Sequence, residues 1–117
     1  MRYAGAGGLS GRSYPALPER PPDYPEGFPF APGAAVLVQE MADQGMTSLF
    51  WWGAADSLGV LATVEAQLLR DGWARGEAQD LPQAGAVMTS YRKGEDERML
   101  MGGGDLVMLI EKRPTAG

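Results

Sequence analysis

The stretch "MTSLFWWGAADSLGVLATVEAQLLRDGW", Met46–Trp73, decides the fold, because its apolar pattern changes period in the middle. Its first seven residues, "MTSLFWW", are rich in the aromatic and β-favouring side chains that are typical of a strand. Further on, Leu61, Val64 and Leu68 follow the i, i+3, i+7 spacing of one helix face. The stretch therefore predicts a strand followed directly by a helix near residues 57 to 71.

Both ends of this helix carry the residues expected there. Asp56 or Ser57 can cap the N-terminus with a side-chain oxygen. At the other end Gly72 stands where a left-handed residue closes a helix, and Trp73 can then fold back onto Leu68. We expect Trp73 to be a buried structural residue.

Four further runs have the composition of strands. They are "AAVLVQEM" before the quoted stretch, and "AVMTSYRK", "RMLMG" and "LVMLIEKR" after it. The connections between the last three are "GEDE", an acidic turn at the surface, and the glycine-rich "GGD". The order β-β-α-β-β-β predicts an α+β fold with two layers, a five-stranded, mostly antiparallel sheet and one main helix.

Residues 1–33, which we call the arm, differ in composition from the rest of the chain. They contain seven of its nine prolines, so we expect an extended arm with a disordered start. Because aromatic residues lie between the prolines, the last third of the arm is expected to pack on the domain edge. Residues 34–113 are predicted to form the α+β domain, and residues 114–117 a short tail.

The strand "MTSLFWW" has large apolar side chains on both of its faces. Neighbouring side chains in a strand point to opposite faces, so Trp51 and Trp52 cannot both enter one core. Trp52 shares its face with Phe50, and the runs "AAVLVQEM" and "LVMLIEKR" are also apolar on both sides. A sheet of this kind is normally buried on both faces, and a single helix can cover only one.

Three partners could cover the second face of the sheet. They are the arm folded back, a second copy of the chain in a homodimer, and an unrelated protein. The arm is the first of these to expect, because its aromatic residues immediately precede the first strand of the domain. The predicted interaction surface therefore consists of Phe50, Trp52, Tyr24, Phe28 and Phe30.

Composition excludes several classes of function. The 117 residues include no cysteine and no histidine, which argues against thiol catalysis, zinc-thiolate sites and histidine-based hydrolysis. A net charge of −5 argues against binding to nucleic acid or to anionic lipid. No apolar run approaches the roughly 20 residues that span a bilayer. No cofactor and no metal ion are expected.

Two motifs give the chain a resemblance to known proteins. "PGA" at Pro32–Ala34 before the first strand, and a helix ending with Leu68 and Gly72–Trp73, resemble small bacterial extracytoplasmic domains of unassigned function. The resemblance spans residues 29 to 113, although Thr63–Val64 replace the aromatic pair of that helix pattern. It implies an α+β fold and an extracytoplasmic location, with a lipid tether outside the given chain, and it carries over no catalytic residue.

Carboxylates are the remaining candidates for chemistry. Asp56 with Glu65, and Asp105 after three glycines, could act as acid and base, but Asp56 is better explained as a helix cap and Glu65 as part of the polar helix face. We therefore expect a non-enzymatic binding or assembly module that uses an apolar sheet face. The alternative is a small-ligand binder or small enzyme that uses Asp56, Glu65 and the exposed tryptophan.

Overall fold

The computed structural model describes residues 3–4, 9–41, 45–53, 57–83, 85–103 and 106–112. Its elements are β1 Tyr3–Ala4, β2 Leu9–Tyr14, β3 Ala35–Met41, β4 Met46–Trp52, α1 Ser57–Arg70, β5 Ala74–Leu81, β6 Ala86–Lys93, β7 Asp96–Gly103 and β8 Leu106–Lys112. The chain is thus an α+β protein with one helix in its described part. No helix there has the length and apolarity needed to cross a bilayer.

All the strands belong to one antiparallel sheet, in the order β1-β2-β3-β4-β8-β7-β6-β5. Helix α1 connects β4 to the far edge of the sheet, and the meander from β5 to β8 then returns to β4. The expected five strands were too few. Seven strands have between six and eight residues, and β1 adds a further two.

The strands that the sequence did not predict lie near the two edges of the sheet. β2 belongs to the arm, but it ends at Tyr14, before the first proline, so no ring interrupts its pairing with β3. β5 is exposed along almost its whole length and pairs only with β6. An edge strand without a buried face shows no apolar alternation, and a register shift between Arg75 and Ala78 interrupts β5 further.

The predicted helix and its closing turn are confirmed. α1 buries Val60, Val64 and Leu68 against the sheet. Gly72 has φ of 95°, and the amide of Trp73 donates to the carbonyl of Leu68 at 3.0 Å, as in a Schellman motif. Trp73 is buried, as expected. The proposed cap Asp56 lies outside the described residues.

The arm packs on the same side of the sheet as α1, so the expectation that it covers the face of Phe50 and Trp52 is wrong. The side-chain amide of Gln67 on α1 holds the arm at Phe30. It accepts from the Phe30 backbone amide at 3.0 Å and donates to the Phe30 carbonyl at 2.7 Å. Tyr24 donates to the carbonyl of Pro29 at 2.6 Å, which closes the arm on itself. Arm and helix thus form one layer.

Gly103, the first residue of the predicted connection "GGD", lies in a strand instead. Gly102 and Gly103 lie within β7, between α1 and the turn before β6. A Cβ on Gly102 would lie 2.9 Å from a methyl carbon of Leu61 on the helix. Gly102 therefore allows α1 to approach the sheet closely.

The acidic residues Asp96 and Glu97, expected in the surface turn "GEDE", also lie in β7.

Candidate interaction surface

The side of the sheet opposite α1 and the arm is apolar, and we call it the open face. Its centre is a row of side chains in register across five neighbouring strands, from β3 through β4, β8 and β7 to β6. The row consists of Leu37, Phe50, Met108, Met101 and Met88. All five are partly exposed, whereas the residues beside them in the same strands mostly point into the core.

Further apolar side chains extend the open face on both sides of this row. Met99 on β7 pairs with Ile110 on β8, next to the pair of Met101 and Met108 on this face. Trp52 lies at the end of β4 and has 42% of its surface exposed. On these five strands, the polar groups of the open face are the neutral Gln39, Ser48 and Ser90, and a charged row at one end. That row alternates in sign along Lys112, Glu97 and Arg92.

Methionine is segregated to the open face. The chain has seven methionines, of which Met1 lies outside the described residues. The others all lie on the open face, namely Met41, Met46, Met88, Met99, Met101 and Met108. The core on the helix side contains valine, leucine, tyrosine, tryptophan and phenylalanine, but no methionine among the described residues. Methionine is flexible and polarizable, and it is used often on surfaces that bind by adapting their shape.

The predicted site residues divide between the two sides of the sheet. Phe50 and Trp52 lie on the open face, whereas Tyr24, Phe28 and Phe30 are buried in the core on the helix side. The structure therefore does not bring these two groups together. The arm residues have the apolar character that the sequence indicated, but they complete the first layer and do not begin a second.

A buried ion pair that sequence analysis missed lies beneath the arm. Arg98 on β7 donates to Glu111 on β8, with Nε at 2.7 Å from Oε2 and with side-chain exposures of 3% and 2%. The guanidinium stacks between two rings, with Cζ 4.3 Å from the centre of Phe28 and 4.2 Å from that of Trp73. It also donates to the carbonyl of Gly27 at 2.9 Å. This cluster fastens the arm to the sheet.

Glu65, a candidate catalytic carboxylate, is engaged in structural contacts. It accepts a hydrogen bond from the hydroxyl of buried Tyr91 and lies 3.5 Å from Nε of Arg75 on β5. Burial, and then the neighbouring carboxylate, raise the pKa of Tyr91 well above its usual range, so the phenol remains a neutral donor. Glu65 and Trp52 lie on opposite sides of the sheet, and Asp56 and Asp105 lie outside the described residues.

A small cleft of about 270 Å³ lies between β2, β3 and the arm. Its charged groups include Arg12 and Asp23, which pair with each other at 3.0 Å and are both about half exposed. Arg12 also donates to the hydroxyl of Tyr14 at 3.2 Å. Arg12 and Asp23 thus satisfy each other, and Glu40 is the further charged residue of the lining.

Comparisons with models of protein families, with curated proteins and with solved structures find no match to this chain. Its function must therefore be inferred from the two faces of the sheet and from the chemistry of their side chains.

Proposed function

We propose that this chain is a non-enzymatic binding or assembly module whose binding surface is the open face. The observation that carries the proposal is the methionine-rich row across five strands, on the side of the sheet that no described helix or arm segment covers. The same sheet is closed on its other side by α1 and the arm.

The physical reason is the free energy of hydrating this apolar area. Burial of apolar surface is favourable by about 25 cal/mol per Å², and apolar patches larger than a few hundred Å² mark interaction sites on soluble proteins. A strand that is apolar on both faces belongs to a sheet that is covered on both faces. In this chain only one cover is present among the described residues, so a binding partner is the expected second cover.

The exposed edge of the sheet is less suited to binding than its face. β5, at one edge, carries charged side chains at Arg75, Glu77 and Asp80 and contains a register shift. Charges and irregular pairing at an edge prevent the addition of a further strand. The apolar area therefore lies on the face while the β5 edge is protected, a combination that favours packing of another surface onto the sheet.

The alternative of a small-ligand binder or enzyme has less support. The carboxylate of Glu65 is occupied by Tyr91 and Arg75, and Trp52 lies on the opposite side of the sheet. The extracytoplasmic location implied by the resemblance remains part of the proposal. Cell fractionation with antibodies to the chain would test it, and recovery in the cytoplasm would contradict it.

Site-specific photo-crosslinking tests the binding role. A photoreactive benzoyl-phenylalanine replaces Trp52 on the open face, and in a control variant it replaces Leu58, which lies on α1 with 74% of its surface exposed. In cells that naturally express the gene, we expect covalent adducts with a macromolecule from position 52 and not from position 58. No adducts from position 52, or the same adducts from both positions, would refute the proposal.

A further inference from the structure

We infer that the partner of the open face is a second copy of this chain, packed face to face about a two-fold axis that runs along β8. The inference rests on the proposed function, because it requires the open face to be a binding surface. Three properties of the open face support it: its size, the arrangement of its side chains about β8, and the place of its charges.

The size of the open face fits a stable dimer. Five strands about 4.8 Å apart and about seven residues long at about 3.4 Å each give a projected area of roughly 600 Å². The accessible surface of such a corrugated face exceeds its projection, and a typical specific interface buries about 800 Å² on each partner. Two copies packed face to face would thus form a sandwich of standard size.

The side chains on the two sides of β8 complement each other. β8 is the middle strand of the five, and Met108 is the middle side chain of the row. On one side β3 and β4 carry Leu37 and Phe50, and on the other side β7 and β6 carry Met101 and Met88. A two-fold axis along β8 places Phe50 of each copy on Met101 of the other, and Leu37 of each copy on Met88 of the other. Sulfur–aromatic contacts and flexible methionines favour such a pairing, and a two-fold interface requires a surface that is self-complementary in this way.

The charges of the open face lie where a dimer can keep them hydrated. Lys112, Glu97 and Arg92 form one row at the end of the face, and Arg92 and Glu97 pair at 3.3 Å within the copy. The centre of the face carries no charged side chain among the described residues. The net charge of −5 makes two copies repel each other, so we expect added salt to strengthen the dimer.

Two neighbouring residues of β6 give a matched pair of variants. Met88 points to the open face, and Val87, which is 40% exposed, points to the other side. Sedimentation velocity over a range of concentrations is expected to show a dimer for the unmodified chain and for Val87→Glu. Met88→Glu would place a carboxylate in the apolar interface, and we expect it to weaken association by at least about tenfold. Circular dichroism checks that both variants fold.

Cross-linking tests the direction of the axis, because the chain has no cysteine and a single introduced thiol is unique. With the axis along β8, position 37 of one copy lies about 10 Å from position 88 of the other, and about 20 Å from its own equivalent. A short bis-maleimide should therefore join Leu37→Cys to Met88→Cys in a mixture of the two variants. Efficient cross-linking of Leu37→Cys to itself would refute this axis.

The failure of this inference can be separated from the failure of the proposed function. If the chain is monomeric at all concentrations but position 52 forms adducts with another macromolecule in cells, the second copy is refuted and the binding role stands. If the chain is monomeric and position 52 forms no adducts, both are refuted. A dimer that Met88→Glu leaves intact while the fold is retained also refutes the inference, because its interface then lies elsewhere.

Discussion

Neutralising Glu111 tests whether the buried cluster around Arg98 fastens the arm to the sheet. Glu111→Gln keeps the shape of the side chain and one oxygen acceptor, but it leaves the Arg98 charge without its carboxylate partner. The two side chains are only 2% and 3% exposed, and their closest atoms are 2.6 Å apart. Removing one partner from a buried pair of this kind costs about 3–5 kcal/mol of stability.

The rings around Arg98 reduce that loss. The centres of Phe28 and Trp73 lie 4.3 and 4.2 Å from its Cζ, and a desolvated cation–π contact contributes about 1–2 kcal/mol. These contacts persist in the variant, so we expect Glu111→Gln to lower the free energy of unfolding by about 2–4 kcal/mol. Chemical denaturation followed by tryptophan fluorescence at one fixed protein concentration measures this loss.

Amide exchange shows where the structure opens. Arg98 donates to the carbonyl of Gly27, and the amide of Phe30 is bound to the side chain of Gln67. If the cluster fastens the arm, the Phe30 amide should exchange faster in Glu111→Gln, beyond the change caused by global unfolding.

The control replaces both partners by apolar side chains. Arg98→Met with Glu111→Leu leaves no unpaired charge, and such replacements are often neutral or stabilising. We expect this double variant to be more stable than Glu111→Gln. A Glu111→Gln variant within about 0.5 kcal/mol of the unmodified chain, or a double variant less stable than Glu111→Gln, would refute the role given to the pair.

Trp73→Ala should cost about 3–5 kcal/mol in chemical denaturation, since it removes a buried ring at the helix end, and a change near zero would contradict the core role. Gly103→Ala should lower the free energy of unfolding by about 1–3 kcal/mol, because its Cβ would lie 2.5 Å from the carbonyl oxygen of Gly85. Gly102→Ala should cost less, because its Cβ would lie 2.9 Å from a leucine methyl that can move. Equal losses of stability in chemical denaturation would contradict this difference. Burial raises the pKa of Tyr24 and Tyr91 above the usual 10.0, so the unfolded chain releases protons first and stability should fall as pH rises above about 10. Phenylalanine at either position should make the fall of stability with pH less steep in alkaline denaturation. An unchanged dependence of stability on pH would contradict the role of these two tyrosines. Mild peroxide should oxidise methionines of the open face and dissociate the dimer that we infer, while circular dichroism stays unchanged, since the described helix-side core has no methionine; loss of the fold first would contradict that separation.

The sequence predicted the helix and five of the strands because each has a buried face that imposes a period. α1, β3, β4, β6 and β8 lie within about two residues of their expected bounds. β5 could not be found in this way, because it buries no face and its residues are free to be polar. The path of the arm was also beyond a sequence argument, because it depends on contacts such as that between Phe30 and Gln67, far apart in the chain.

The buried ion pair left a weak signal in the sequence. Arg98 shares a face with Leu100, and Glu111 shares a face with Leu109, so the alternation of each strand places a charge on the side of the core. Two inward charges of opposite sign in neighbouring strands indicate a pair. The strand register that sets Arg98 opposite Glu111 comes only from the structure.

The two tryptophans of β4 show how the faces of a doubly apolar sheet can be distinguished. Hydropathy treats the faces as equal, because Trp51 and Trp52 are equally apolar, yet one is buried under α1 and the arm and the other is 42% exposed. Residue type separates them. The helix-side core uses branched and aromatic side chains with few rotamers, which define one packed arrangement during folding. The open face uses methionine, which tolerates many arrangements and therefore suits the binding role that we propose for this face. Segregation of methionine to alternate strand positions therefore indicates which face of such a sheet is the interface.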